Sequence, residues 1–189
     1  MVEGNKEFRI HGRGGQGAKS AAQLLAEAAI LQGKYVQAFP EYGPERSGAP
    51  VASFVRISRT RITTHQPVVS PDYVGVIDES MLTFSLIQEG LKKDSLLIVN
   101  SSMAEEELKK RIGYKGKLYC VPATQIAMKH LGMNKTNTVI LTALAFFSKS
   151  ATLNDLKKVT YDLFKTKSES IADSNLKIIK EVWNMLKKR

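Results

Sequence analysis

The stretch FRIHGRGGQGAKSAAQLLAEAAILQGKYVQAF, residues 8–39, decides the fold. Gly12, Gly14 and Gly17 have the G-x-G-x-x-G spacing, and Arg13 sits between the first two. An apolar run precedes these glycines and an alanine- and leucine-rich run follows them. The pattern predicts a strand from about Glu7 to His11, a tight loop, and a helix from about Gln16 to Gln32. Gly33 is a natural helix stop, because only glycine enters the left-handed region freely. Tyr35 to Phe39 reads as a second strand. This strand–helix–strand unit of about 30 residues is expected to cross over right-handed within an α/β fold.

A loop of this kind suits a phosphate. The first N–H groups of a helix lack intrahelical partners, the helix dipole favours negative charge, and glycine lets the backbone approach closely. The nicotinamide version also wants an acid at the end of the second strand. That position falls near Gln37, and the nearest acid is Glu41, beyond a proline. A P-loop would need lysine directly after its last glycine, but Ala18 stands there and Lys19 comes one place late. On spacing alone, an anion or nucleotide contact and a tight structural turn both stay open.

Outward from this unit, PEYGPERSGAP (residues 40–50) is too rich in proline and glycine for regular structure. It leaves the carboxyl end of the second strand, so it is expected to face the same site as the glycine loop. Arg46 offers a forked, permanently charged donor in it. Further strands are expected at Val51–Ile57, Tyr73–Ile77, Ser95–Val99 and in LYCVP (residues 118–122). RTRITTHQPV (residues 59–68) reads as a continuing hairpin. Asp78 is expected to cap a helix over Met81–Glu89, and Ser102 with Glu105 resembles a capping box. Thr124 begins another helix. After Asn137 the chain reads as helical to its end, with VILTALAFF buried against the sheet. The last helix places Leu176, Ile179, Val182, Trp183 and Leu186 on one apolar face.

The whole chain has 189 residues, 43% hydrophobic and 24% charged, as expected for one globular domain. No apolar run is long enough for a membrane span, and the N-terminus lacks signal-peptide character. The single cysteine, Cys120, excludes an internal disulfide and any cysteine-ligated cluster housed in this chain alone. A reducing cytoplasm is the expected location. The net charge of +10 fits a nucleic acid, an acidic partner, an anionic ligand or simply a lysine-rich surface. His11, His65 and His130 have no metal-ligand spacing. His11 is expected to hydrogen-bond backbone beside the glycine loop, and Cys120 to be inert core. No catalytic triad or nucleophile elbow is visible, which points to a subunit of something larger.

FRIHGRGGQGAKSAAQLLAEAA followed by QAFPEYGPERSGAPVASFVRIS closely resembles the gamma subunit of the 2-oxoacid:ferredoxin oxidoreductases, especially the pyruvate and branched-chain members. VIDESML, LLIVNSS, VPATQIA and NKTNTVILTALA agree, so the resemblance covers roughly residues 7–150. The pair GRGGQG and YGPERSGAP, with 24 residues between Gly17 and Tyr42, is more specific than either motif alone. Ser47 and Thr142 depart from the arginine and glycine common at those places. The resemblance implies a three-layer α/β/α Rossmann-like sandwich with a mainly parallel or mixed sheet. It implies a single gamma-type domain over residues 1–189, with C-terminal helices from about 137 to 188. The family's full enzyme decarboxylates a 2-oxoacid on thiamine diphosphate, passes electrons through 4Fe-4S clusters to ferredoxin, and transfers the acyl group to coenzyme A. Thiamine diphosphate, Mg and the clusters belong to alpha, beta and delta chains, and the gamma chain is implicated on the coenzyme A side. The resemblance therefore implies an anion cradle of Gly12, Arg13, Gly14, Gly15, Gln16 and Gly17, with Tyr42, Gly43 and Arg46 from the second loop and Lys19 as a further charge. The rival role for these loops is docking on the alpha or beta chain. Neither nucleic acid nor membrane is an expected partner. A stand-alone nucleotide- or dinucleotide-binding oxidoreductase is the alternative reading.

Overall fold

A computed structural model describes residues 5–40, 48–64, 66–83 and 85–188. Six strands form one sheet in the order β2-β3-β1-β4-β5-β6. These are β1 (Lys6–Arg13), β2 (Tyr35–Pro40), β3 (Pro50–Ser58), β4 (Tyr73–Val76), β5 (Leu96–Asn100) and β6 (Lys117–Val121). The pairs β1–β4, β4–β5 and β5–β6 are parallel, and β3 pairs antiparallel with both β1 and β2. The sheet is thus mixed and mostly parallel. The expected strand–helix–strand unit is modified: β2 runs parallel to β1, but β3 lies between them.

The helices are α1 (Ala18–Ile30), α2 (Glu105–Ile112), α3 (Ala123–Leu131), α4 (Asn137–Ser148), α5 (Leu153–Lys165) and α6 (Glu169–Lys187). Side chains alternate across each strand. Phe8, Ile10, Val55, Ile57 and Ile98 meet the buried faces of α1, α4, α5 and α6 in the main core. Val74, Val76, Leu97, Val99 and Leu118 point the other way, toward Leu108 of α2 and toward Met81, Leu82 and Ile87. The result is three layers. α4 is buried on nearly every side, as its unbroken apolar run predicts. It lies so close to β4 that a methyl group on Gly75 would sit 2.8 Å from Ile140 Cγ2. α6 buries Ile178, Ile179, Val182 and Leu186, with Leu176 and Trp183 half-buried. No helix among the described residues is long and apolar enough to cross a membrane.

Three local expectations fail. Where the α-helix was expected, the described residues form two short 3-10 turns, Glu79–Thr83 and Ser85–Ile87. The buried Arg9 guanidinium takes the carbonyls of Ile87 and Glu89 at 3.3 and 2.6 Å, so they are used by tertiary bonds instead of a continuing helix. No strand continues the hairpin among the described residues of 59–72. There Arg56 donates to Pro67 O at 3.0 Å and Val68 is buried, so side chains rather than a ladder hold the segment. Ser102 and Glu105 form no capping box. Ala104 stands at the N-cap of α2, Ser102 Oγ accepts from Gln125, and Glu105 Oε1 accepts from Cys120 N. A complete capping box occurs instead at Thr152 and Asp155, on α5.

Candidate functional site

The topology selects one place on the sheet. From β1 the chain moves through α1 to β2 on one side, whereas β4 is followed by β5 and β6 on the other. The carboxyl ends of β1 and β4 therefore flank a switch point, where open α/β sheets leave a crevice for ligands. β1 ends in the glycine loop and β4 ends at Ile77 and Asp78.

Side chains hold the loop in shape. Gln16 accepts from Arg13 N at 2.7 Å and donates to Asp78 Oδ2 at 2.7 Å. Arg13 donates twice to Ser80 Oγ, at 3.1 and 2.9 Å, and once to Gly48 O at 3.2 Å. Its Nε also lies 3.6 Å from Asp78 Oδ2. Burial pushes the Asp78 carboxyl up, but the hydrogen bonds from Gln16 and Ser80 and the Arg13 charge together hold it below its usual value. Asp78 thus caps the first 3-10 turn, its Oδ1 accepting from Ser80 N at 2.9 Å, and is at the same time the anionic hub of a latch. Gly14 N donates to Ala49 O at 2.8 Å, which brings the approach to β3 alongside the loop. Tyr42, Gly43 and Arg46, expected on that second loop, lie outside the described residues, as does His65.

Gly15 and Gly17 have φ of 90° and 87°. Gly17 is also crowded: an added Cβ would fall 2.8 Å from Asn137 Nδ2. Gly17 is the N-cap of α1 and has no side chain to cap it, so the first N–H groups of α1 are left without a capping side chain. They open on a cavity of about 470 Å³ lined by Gly15–Gly17, Ser20, His130, Lys135 and Lys167. Lys135 Nζ donates to Gly15 O at 3.3 Å, placing a cation at the loop. Lys19 is exposed on the first turn of α1 and does not line this cavity. A smaller polar cavity of about 250 Å³ lies on the other side of Gln16, against Asp78, Asn100 and Thr124. Asn100 fixes its floor, donating to Ile77 O and accepting from Thr124 N.

His11 is buried on the far face of β1, against Arg9, in a third cavity of about 220 Å³. Its pKa is pushed down to about 3, first by burial and then by the Arg9 charge, so the ring is neutral. Its backbone carbonyl accepts from Ile77 N, but its ring Nε2 makes no hydrogen bond. His130 pairs with Glu181 at 2.6 Å, and Lys129 shares the same carboxylate oxygen at 2.7 Å. Cys120 is buried in β6.

Lys135, Asn137 and Lys167 were not expected in the site. Asn137 begins α4, and only its place at the head of a buried helix signals a role. Lys167 lies in the short link to α6, and no local pattern marks it.

The family model of the pyruvate ferredoxin/flavodoxin oxidoreductases matches residues 7–184. The chain is 42% identical over 182 residues to the pyruvate synthase subunit PorC of Thermotoga maritima, covering 96% of this chain and 94% of that one. It is 43% identical over 178 residues to the pyruvate/ketoisovalerate oxidoreductases common subunit gamma of Pyrococcus abyssi, covering 94% and 95% of the two. The crystal structure of the Thermotoga maritima pyruvate oxidoreductase subunit PORC superposes with a TM-score of 0.84 at 40% identity, covering 95% of this chain and 96% of that one. The 2-oxoglutarate:ferredoxin oxidoreductase of Magnetococcus marinus, solved with 2-oxoglutarate, coenzyme A and succinyl-CoA bound, has the same fold within it. There the TM-score is 0.80 at 21% identity, over 98% of this chain and 31% of that one.

Proposed function

This chain belongs to the pyruvate ferredoxin/flavodoxin oxidoreductase family as a gamma-type subunit of a 2-oxoacid:ferredoxin oxidoreductase, and from that premise we propose that its glycine loop seats the phosphates of coenzyme A. One observation carries the proposal: the uncapped start of α1 opens, beside Lys135, on the 470 Å³ cavity. Backbone N–H groups of Gly15–Gly17 and the first turn of α1 would meet the pyrophosphate, with Lys135 as a point charge. Arg13 and Gln16 act from behind: bonded to Ser80, Gly48 and Asp78, they keep the loop open and its N–H groups aligned. Gly12 and Gly14 let the backbone pass close to Ile77 and Ala49. On the family resemblance, Tyr42, Gly43 and Arg46 would add to the cradle; they lie outside the described residues.

The chemistry of decarboxylation and electron transfer resides in this proposal with the partner chains. Alpha, beta and delta chains hold thiamine diphosphate, Mg and the 4Fe-4S clusters, ferredoxin accepts the electrons, and the assembly works in the cytoplasm on pyruvate. The edge strand β2 with its exposed Tyr35, together with the exposed Ile30 and Leu31 at the end of α1, offers an apolar docking surface away from the loop.

The test is kinetic. In the assembled enzyme, Lys135→Ala is expected to raise the coenzyme A KM about tenfold while the pyruvate KM stays constant, the size of one charge-assisted hydrogen bond. An unchanged coenzyme A KM in both Lys135→Ala and Gly17→Ala, in enzyme that assembles normally, would rule the seat out. Loss of assembly in these variants would favour the docking role for the loop.

A further inference from the structure

β4 stops at Val76, and the peptide after the next residue sets up the latch. Ile77 N donates to His11 O at 2.9 Å, which ties it to β1. Its carbonyl accepts two side-chain donors, Asn100 Nδ2 at 3.0 Å and Thr136 Oγ1 at 3.3 Å. A carbonyl oxygen has two lone pairs, so both are used. The carbonyl of Ile77 and the N–H of Asp78 belong to one planar unit. Whatever orients the first sets where Asp78 starts, and Asp78 is the group that accepts from Gln16 and faces Arg13.

Thr136 has a local use that it does not make. It stands at the N-cap of α4, where a threonine hydroxyl ordinarily accepts from the first turn of its own helix. Here its backbone is already helical, with φ −90° and ψ −5°, and the hydroxyl makes no capping bond. The buried side chain reaches the end of β4 instead. Its two neighbours also leave α4 for the site: Lys135 Nζ donates to Gly15 O at 3.3 Å, and Asn137 packs against Gly17. Three consecutive residues thus join the head of α4 to both sides of the switch point. A local rule broken without local gain marks a position shaped by something else. We infer that Thr136 is a positioning residue for the glycine loop: its hydroxyl, with Asn100, orients the Ile77–Asp78 peptide so that Asp78 holds Gln16 and Arg13. It acts at second hand, since its hydroxyl proton is given to Ile77. The consequence for coenzyme A rests on the seat proposed above; the consequence for Asp78 does not. Arg13 is the cation against Asp78, and the adjacent Glu79 is paired with Arg111. Burial raises the Asp78 carboxyl, and the Gln16 and Ser80 hydrogen bonds with the Arg13 charge outweigh it. A loosened peptide weakens those bonds, so the carboxyl then titrates higher.

The experiment separates the hydroxyl from the shape. Thr136→Val removes the hydroxyl and keeps the branched side chain, whereas Thr136→Ser keeps the hydroxyl. In the assembled enzyme, Thr136→Val is expected to raise the coenzyme A KM about threefold to tenfold, with kcat and the pyruvate KM unchanged. Thr136→Ser is expected to stay within about twofold of wild type. In the full chain, the titration midpoint of the Asp78 carboxyl, followed by carbon NMR, is expected to rise in Thr136→Val and not in Thr136→Ser. Thr136→Ala is the second hydroxyl-free variant, with the same two expectations. An Asp78 midpoint unmoved in both hydroxyl-free variants overturns the inference, whatever their melting temperature or KM. So does a Thr136→Ser chain that behaves like Thr136→Val, since packing is then what counts. So does a coenzyme A KM that stays at wild-type level in Thr136→Val while Gly17→Ala raises it. Failure of the coenzyme reading looks different: the Asp78 midpoint moves in Thr136→Val, and the coenzyme A KM stays at wild-type level both there and in Gly17→Ala.

Discussion

Gly17 meets two demands at once, a φ of 87° and contact with Asn137. Alanine there meets left-handed strain and a 2.8 Å approach to an amide. Gly17→Ala is expected to cost about 1–3 kcal/mol in denaturant unfolding. Asp78 gives a pH signature. Its folded pKa is depressed, so the latch contributes stability above the ordinary value of 3.8 and loses it as pH falls through the folded value. Asp78→Asn should therefore flatten the acid limb of the stability profile, measured by thermal melts between about pH 2 and 5, and raise the coenzyme A KM at neutral pH. The glycine spacing was legible in the sequence because the left-handed turn is a local demand. Arg13 was legible only as a charge. That it spends its guanidinium on Ser80 and Asp78, more than sixty positions away, is a matter of strand pairing that no local spacing encodes.

At the scale of elements, α4 and β4 approach through Gly75, where a Cβ would lie within 2.9 Å of both Ile140 and Leu144. Gly75→Val is expected to destabilise the chain by about 1–3 kcal/mol or more through overpacking. Equilibrium unfolding would show this, and at permissive temperature the coenzyme A KM should stay unchanged. Thr152→Ala removes the capping box of α5 and should lower stability by about 1 kcal/mol. Strand and helix positions were readable because apolar periodicity is written locally. The insertion of β3 between β1 and β2 was not, since a strand's own sequence does not state its neighbour. The turns at 79–87 escaped for a similar reason: Arg9, on a distant strand, claims their carbonyls.

Over the whole molecule, the net charge of +10 attracts anions, and the coenzyme seat proposed above would gain from it. The coenzyme A KM of the assembled enzyme should rise several-fold between about 0.05 and 0.3 M salt, as screening shortens the reach of that charge. A flat dependence would confine the charge to solubility and partner contacts. The glycine loop is also tied to remote stretches of chain: Ala49 pairs with it, Asp78 and Ser80 latch it, and Lys135 and Asn137 close it from behind. On the ribosome these ties arrive in that order. The loop emerges first, yet the last wall of its cavity is added only when the first turns of α6, out to Asn175, have left the exit tunnel. A nascent chain stalled before residue 164 holds the complete G-x-G-x-x-G motif and still lacks the pocket, so a ligand of that pocket cannot serve as a folding template until most of the protein has been made.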